Sequence, residues 1–255
     1  MRSAMPDRVV TAVNGLQPSS GIERQGPVKR RIGIVGGVGP YASLHFCSEV
    51  LRLSGATTDD AYPATVLVAE QLPSRIAHLL GGGASPLPLL LRTVEQLEQA
   101  GVDVIAIPSA TTHAYRPQLT QAVSVPICDL LAETAAALER NRYRRPLFLA
   151  TEATVGLGLF EPHLALGTVA RYPGPQHQDD IGDFIARVKR GEPIPELRNE
   201  FAQWIEQLKI GHEGDPDPDC AVLACTELSM LAPAAAGRTH LIDVTEVLAS
   251  AVLAP

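Results

Sequence analysis

From Arg31 onward, short apolar runs alternate with longer stretches in which apolar residues recur every three or four positions. An unbroken apolar run of four to six residues fits a strand buried on both faces. Alternation of such runs with amphipathic stretches is the pattern of parallel α/β architecture. The runs predict strands near 32–35 (IGIV), 65–69 (TVLVA), 103–107 (DVIAI), 147–150 (LFLA), 167–171 and 220–224 (CAVLA). A helix is predicted over Leu87–Ala100, where Leu89, Leu90, Val94, Leu97 and Ala100 share one side and Glu95, Glu98 and Gln99 lie on another. Further helices are expected over Ile194–Ile210 and, after the strand-like HLID, over Val244–Leu253.

The pattern repeats. A strand ending at Val35 is followed by one ending at Ile107, and the spacing from Ala150 to Ala224 is nearly the same. Each of the four strands runs into a turn of small or hydroxylated residues: GGVGP, PSATTH, TEAT and CTE. Such turns, leading into helices, present unpaired backbone N–H groups that suit an anion. A duplicated unit with four turns facing one crevice would clamp a small acid between two lobes.

Composition narrows the function. A formal charge of −7 argues against a nucleic-acid binder, which must neutralise phosphates. No apolar run approaches the roughly 20 residues of a membrane span, so no membrane partner and a cytoplasmic location are expected. The four cysteines lack C-x₂-C spacing and the seven histidines lack H-x-x-x-H pairing, so no metal is expected. Residues 1–30 carry Arg2, Arg8, Arg24, Lys29 and Arg30 against Asp7 and Glu23, with Gly, Pro and Ser scattered among them. They are expected to form a flexible tail; the apolar stretch Val9–Val13 is short for a signal peptide.

Several residues carry candidate chemistry. Gly37, Gly39 and Ala42 fit the dinucleotide spacing G-x-G-x-x-A. Pro40 interrupts that motif, however, and Glu70 lies well beyond the expected acidic position. A tight strand-to-helix turn explains the glycines without a cofactor. Cys225 follows the apolar run Ala221–Ala224 and precedes Thr226-Glu227-Leu228, which places it in the first turn of a helix, where a thiol pKa is lowered toward the thiolate. A cysteine beside a buried strand is more often inert, as expected for Cys47, Cys128 and Cys220, but the CTE context favours function at 225. Ser109 occupies the matching turn of the first lobe. Its hydroxyl becomes a base only if another group takes its proton, and His113 is a candidate for that role if the helix starts at Ser109; the other reading is a simple N-cap. Thr111 and Thr112 either bind carboxylate oxygens or cap the helix. Arg75 would lie near the crevice mouth, as a fork for a carboxylate or as a solvated surface residue.

Taken in order, these turns resemble the cofactor-independent aspartate/glutamate racemase family, over nearly everything from Ile32 to Leu253. IGIVGGVGP is similar to its opening strand and loop, LPSRIAHLLGG to its substrate-arginine segment, and LEQAGVDVIAIPSATTH to the stretch bearing its first catalytic cysteine. LATEATVGLGLF, VLACTELSML and LIDVTEVLA are similar to the middle Thr-rich turn, the second catalytic cysteine and the closing segment. The resemblance implies α-proton removal by one thiolate and return by an opposite thiol, without pyridoxal phosphate or metal, commonly in a homodimer. It makes Cys225 the acid/base of the second lobe and Ser109 its counterpart across the crevice. Arg75, Gly37, Val38, Thr111, Thr112, Thr151, Thr154 and Thr226 become substrate contacts. The chain departs from the family in having Ser109 for the first cysteine, Ala110 for an amide, and Gly156 where a cation is often found.

Repeat and resemblance together give the expected fold: α/β, with two pseudo-symmetric Rossmann-like lobes, each a mainly parallel four-stranded sheet flanked by helices, and the active site between them. The expected division is 31–126 with 237–255 as the first lobe and 127–236 as the second. The expected activity is α-proton exchange on an aspartate- or glutamate-like acid. Alternatives are a single-cysteine decarboxylase of malonate-type acids and a carboxylate-binding homologue with reduced catalysis.

Overall fold

The computed structural model describes residues 30–208, 218–232 and 240–254. Apart from Arg30, the expected tail lies outside the described residues, as does the expected boundary at 236–237. In chain order the first half comprises β1 (Ile32–Gly36), α1 (Pro40–Leu53), β2 (Thr65–Ala69), α2 (Arg75–Leu79), α3 (Leu87–Gln99), β3 (Val104–Ala106), α4 (Arg116–Ala122) and α5 (Leu130–Arg140). The second comprises β4 (Pro146–Leu149), α6 (Glu152–Gly156), α7 (Pro175–Lys189), α8 (Ile194–Glu206), β5 (Cys220–Leu223), α9 (Thr226–Ser229), β6 (Leu241–Asp243) and α10 (Val244–Leu253).

The apolar runs form strands for the reason the sequence suggests: every residue of β1, β3, β4 and β5 is buried. Only an environment covered on both faces accepts such runs, and here all strand pairings are parallel. Edge strand β2 instead alternates between exposed and half-buried positions.

Among the described residues the hydrogen-bonded sheets are β2-β1-β3 and β4-β5-β6, so each shows three strands where four were expected. The fourth place in each is held by a single parallel bridge, Ile127 beside Ile105 and Arg171 beside Leu147. The strand predicted over 167–171 is therefore a contact line beside β4, in which Val169 and Arg171 donate backbone hydrogen bonds to Arg144 and Pro146. Gly167 at φ 83° and the nearby Pro173 and Gly174 keep it from extending. With the bridges included, both sheets have the spatial order second-first-third-fourth in chain sequence. The repeat seen in the turns is thus a repeat of topology.

Pairing also redraws the expected division. Leu241–Asp243 pairs with β5 and belongs to the second sheet, whereas Ile127 lies beside the first. Helix α10 then crosses back to pack on α1 and α5. One apolar cluster consequently runs through both lobes, joining Ile34, Phe46 and Val50 to Phe148, Val222, Val244 and Leu248. The lobes share a core, and the carboxyl ends of β1, β3, β4 and β5 lead into residues that line one cavity. Among the described residues, no helix is long and apolar enough to cross a membrane.

Candidate active site

Residues following those four strand ends line one small cavity: Val38 after β1, Ser109 and Thr111 after β3, Thr151 and Thr154 after β4, and Cys225 and Thr226 after β5. Arg75 closes it from α2. Its volume of about 20 Å³ has room for little more than one water. Two expected contacts lie elsewhere. Gly37 lines an adjoining outer cleft of about 310 Å³. Thr112 is fully buried behind Ser109 and donates its hydroxyl to Ser109 Oγ at 2.8 Å.

Cys225 sits at the N-cap of α9, a helix of only four residues. Its Sγ donates to Glu227 Oε2 at 3.1 Å. Burial pushes the thiol well above its ordinary pKa, and the Glu227 carboxylate pushes it the same way, against a smaller opposing effect of Lys189. The thiolate expected from the helix terminus is therefore not the resting form. Four residues make too weak a dipole to offset desolvation and an adjacent carboxylate.

Glu227 is the residue that sequence reasoning passed over. It is 4% exposed, its Oε1 is 3.8 Å from Lys189 Nζ, and it packs on the glycine loop of the other lobe. A Cβ on Gly39 would come within 2.6 Å of Oε1 and displace the carboxylate, and Gly39 has φ 132°, a backbone conformation that favours glycine. A carboxylate seated on the loop is the reverse of what a pyrophosphate site needs. The available signal was an acid within the apolar segment from Ala221 to Leu231. Lys189, in the last turn of α7, gave no comparable signal, because tertiary packing alone brings it to the cavity.

Hydroxyls of Ser109, Thr111, Thr151, Thr154 and Thr226 line the same cavity. Ser109 Oγ accepts from the Thr112 hydroxyl and, at 3.4 Å, from its backbone N–H. His113 does not serve Ser109 Oγ. Its Nε2 accepts from Leu130 N–H at 3.1 Å, which leaves Nδ1 as the protonated nitrogen donating to the Ser109 carbonyl at 2.8 Å. Burial lowers the His113 pKa, and the neutral ring acts as a strut between two turns. Thr151 caps α6 by accepting from Thr154 N–H, and the two hydroxyls lie 3.0 Å apart. Thr226 donates to the Pro108 carbonyl at 3.2 Å, tying the second-lobe turn to the first.

Arg75 sends Nη2 to the Val38 carbonyl at 2.8 Å and Nη1 toward that of Gly37 at 3.5 Å, while its buried Nε has no partner. Burial lowers its pKa, opposed by Glu227, Cys225 and Tyr115, but a guanidinium stays charged. It clamps the glycine loop and keeps donors for an anion. Among the described residues, no group of three or more His, Cys, Asp or Glu side chains could hold a metal ion.

The sequence and the fold are similar to those of known proteins. The chain is 24% identical over 226 residues to the broad specificity amino-acid racemase RacX of Bacillus subtilis (strain 168), covering 87% of this chain and 96% of that protein. The fold is similar to that of Picrophilus torridus aspartate racemase, with a TM-score of 0.76, 24% identity and coverage of 88% and 92% of the two chains. It is also similar to Thermus thermophilus glutamate racemase in complex with β-chloro-D-alanine, with a TM-score of 0.55, 20% identity and coverage of 88% and 79%. Residues 35–252 match the Asp/Glu/Hydantoin racemase family. The chain belongs to that family and is an enzyme of the racemase type.

Proposed function

We propose that the protein is a cofactor-independent isomerase of the amino-acid racemase type, exchanging the α-proton of a small carboxylic acid with Cys225 as acid and base on one face. The observation that carries this is the buried thiol donating to a buried carboxylate at 3.1 Å, in the cavity that also holds Ser109.

Moving the proton from Sγ to Oε2 makes a thiolate and a neutral acid, so the pair's total charge is unchanged. The thiolate takes the α-proton and becomes a thiol again, while the carbanion delocalises into the substrate carboxylate. Thr111, Thr151, Thr154, Thr226 and the free donors of Arg75 line the space where that charge builds. Return of the proton by Cys225 restores the original configuration. Donation from Ser109, or from a water beside it, inverts the centre, and the proton held by Glu227 then replaces the one given up. With His113 committed elsewhere, the Ser109 face is the slower one.

The test is deuterium entry at the α-position of L- and D-amino acids in D₂O. Wild type exchanges, and Cys225→Ala loses about 10²–10⁴-fold of the rate. No exchange with any acid, while Cys225→Ala binds the same acids equally well, refutes the reading. The resting thiol also supports a second reading, proton donation to the carbanion left by decarboxylation of a malonate-type acid. CO₂ release from a disubstituted malonate separates the two.

A further inference from the structure

We infer that the substrate is an α-amino acid with a neutral side chain at least as long as that of aspartate, and that this side chain lies in the outer cleft between Tyr41 and Ile76. The inference rests on the α-proton-exchange reading above.

The reacting carbon must come within about 3–3.5 Å of Cys225 Sγ, which places it in the inner cavity. That cavity holds about 20 Å³, so most of any amino acid needs space elsewhere. The adjoining cleft of about 310 Å³ supplies it, because Arg75, Ile76, Lys189 and Glu227 line both spaces and form a waist between them. Lys189 is the movable part of that waist: its side chain is 42% exposed, and its ion pair with Glu227 is a loose 3.8 Å.

Charge is confined to the waist. Beyond it the cleft is lined by Gly37, Gly39, Pro40, Tyr41 and Ser74, none of them charged. Among the described residues lining that part of the cleft, none offers a counter-ion to a carboxylate or ammonium at the far end of a long side chain. The ring of Tyr41, the pyrrolidine of Pro40 and the branched side chain of Ile76 instead suit aliphatic or thioether groups. Tyr41 also closes one end of the cleft across the lobes. A Cβ on Gly191, in the turn between α7 and α8, would lie 2.6 Å from its hydroxyl.

The experiment compares kcat/KM for α-proton exchange of alanine, aspartate, glutamate, methionine and leucine by wild type, Ile76→Trp and Tyr41→Ala. Methionine and leucine are expected to exceed aspartate by about tenfold or more in wild type. Ile76→Trp, which fills the cleft, should lower the methionine-to-alanine ratio by about tenfold, and Tyr41→Ala should lower it in the same direction. A ratio taken within one preparation is independent of the fraction folded. Fastest exchange of aspartate or glutamate in wild type, or an unchanged ratio in both variants, overturns the side-chain site while leaving α-proton exchange standing. No exchange of any amino acid overturns both.

Discussion

Replacing Glu227 with Gln separates two effects that the same carboxylate exerts on Cys225. As a negative charge next to the thiol, Glu227 disfavours the thiolate; as a hydrogen-bond acceptor, it gives the thiol proton somewhere to go. A unit charge about 4 Å away is worth ~4 kcal/mol at an effective dielectric of about 20, and one pKa unit corresponds to about 1.4 kcal/mol. Removing the charge should therefore lower the Cys225 pKa. Loss of the hydrogen bond to the thiol form acts in the same direction. The assay is ultraviolet thiolate absorbance as a function of pH, with Cys225→Ser as the blank for Cys47, Cys128 and Cys220. In the wild type the bulk thiolate titration lies above the ordinary thiol range, and because the reactive thiolate forms by internal transfer to Glu227, exchange stays level through neutrality. In Glu227→Gln the thiolate appears at lower pH, yet exchange falls by about 10²–10⁴-fold because the proton acceptor is gone. If thiolate and exchange rise together, Glu227 only restrains the thiol and the relay is wrong. If the thiolate titration does not move, the contact with Cys225 is wrong.

Gly39→Ala places a Cβ 2.6 Å from Glu227 Oε1 at φ 132°; we expect a stability loss of about 1–3 kcal/mol in urea unfolding and a displaced carboxylate, read as a lowered thiolate pKa. His113 has a folded pKa below its unfolded value, so its contribution is present above about pH 6.5 and lost as pH falls, when the unfolded chain binds the extra proton. Wild type should lose up to about 1.4 kcal/mol per pH unit below that point, and His113→Asn, which has no such proton to gain, should show a flatter profile in the same unfolding assay.

Most of the fold was legible because its strands are buried on both faces. Runs such as IGIV and CAVLA have few other places to go, and the matching small-residue turns marked where the chain leaves each sheet. The segment 167–171 was overread because local composition does not determine whether a chain pairs along its length or touches at one residue. That these residues share one cavity was legible where chemistry and strand end coincide, at Cys225, Ser109, Thr111, Thr151, Thr154 and Thr226. The site was obscured where partners come from distant segments. Leu130 N–H, seventeen positions away, fixes the His113 tautomer, and Glu227 gains its surroundings from Gly39 and Lys189. The charge state of Cys225 was misjudged for the same reason, since burial and a neighbouring acid outweigh a helix terminus.

The central claim is that one thiol face performs proton transfer and the serine face limits inversion. It is tested most directly by measuring deuterium wash-in and stereochemical inversion together for each enantiomer of an exchanging amino acid in D₂O. For the enantiomer whose α-proton faces Cys225, wash-in should outpace inversion, and Cys225→Ala should lose both. Equal rates of exchange and inversion from both enantiomers, or exchange that survives Cys225→Ala, would contradict the account.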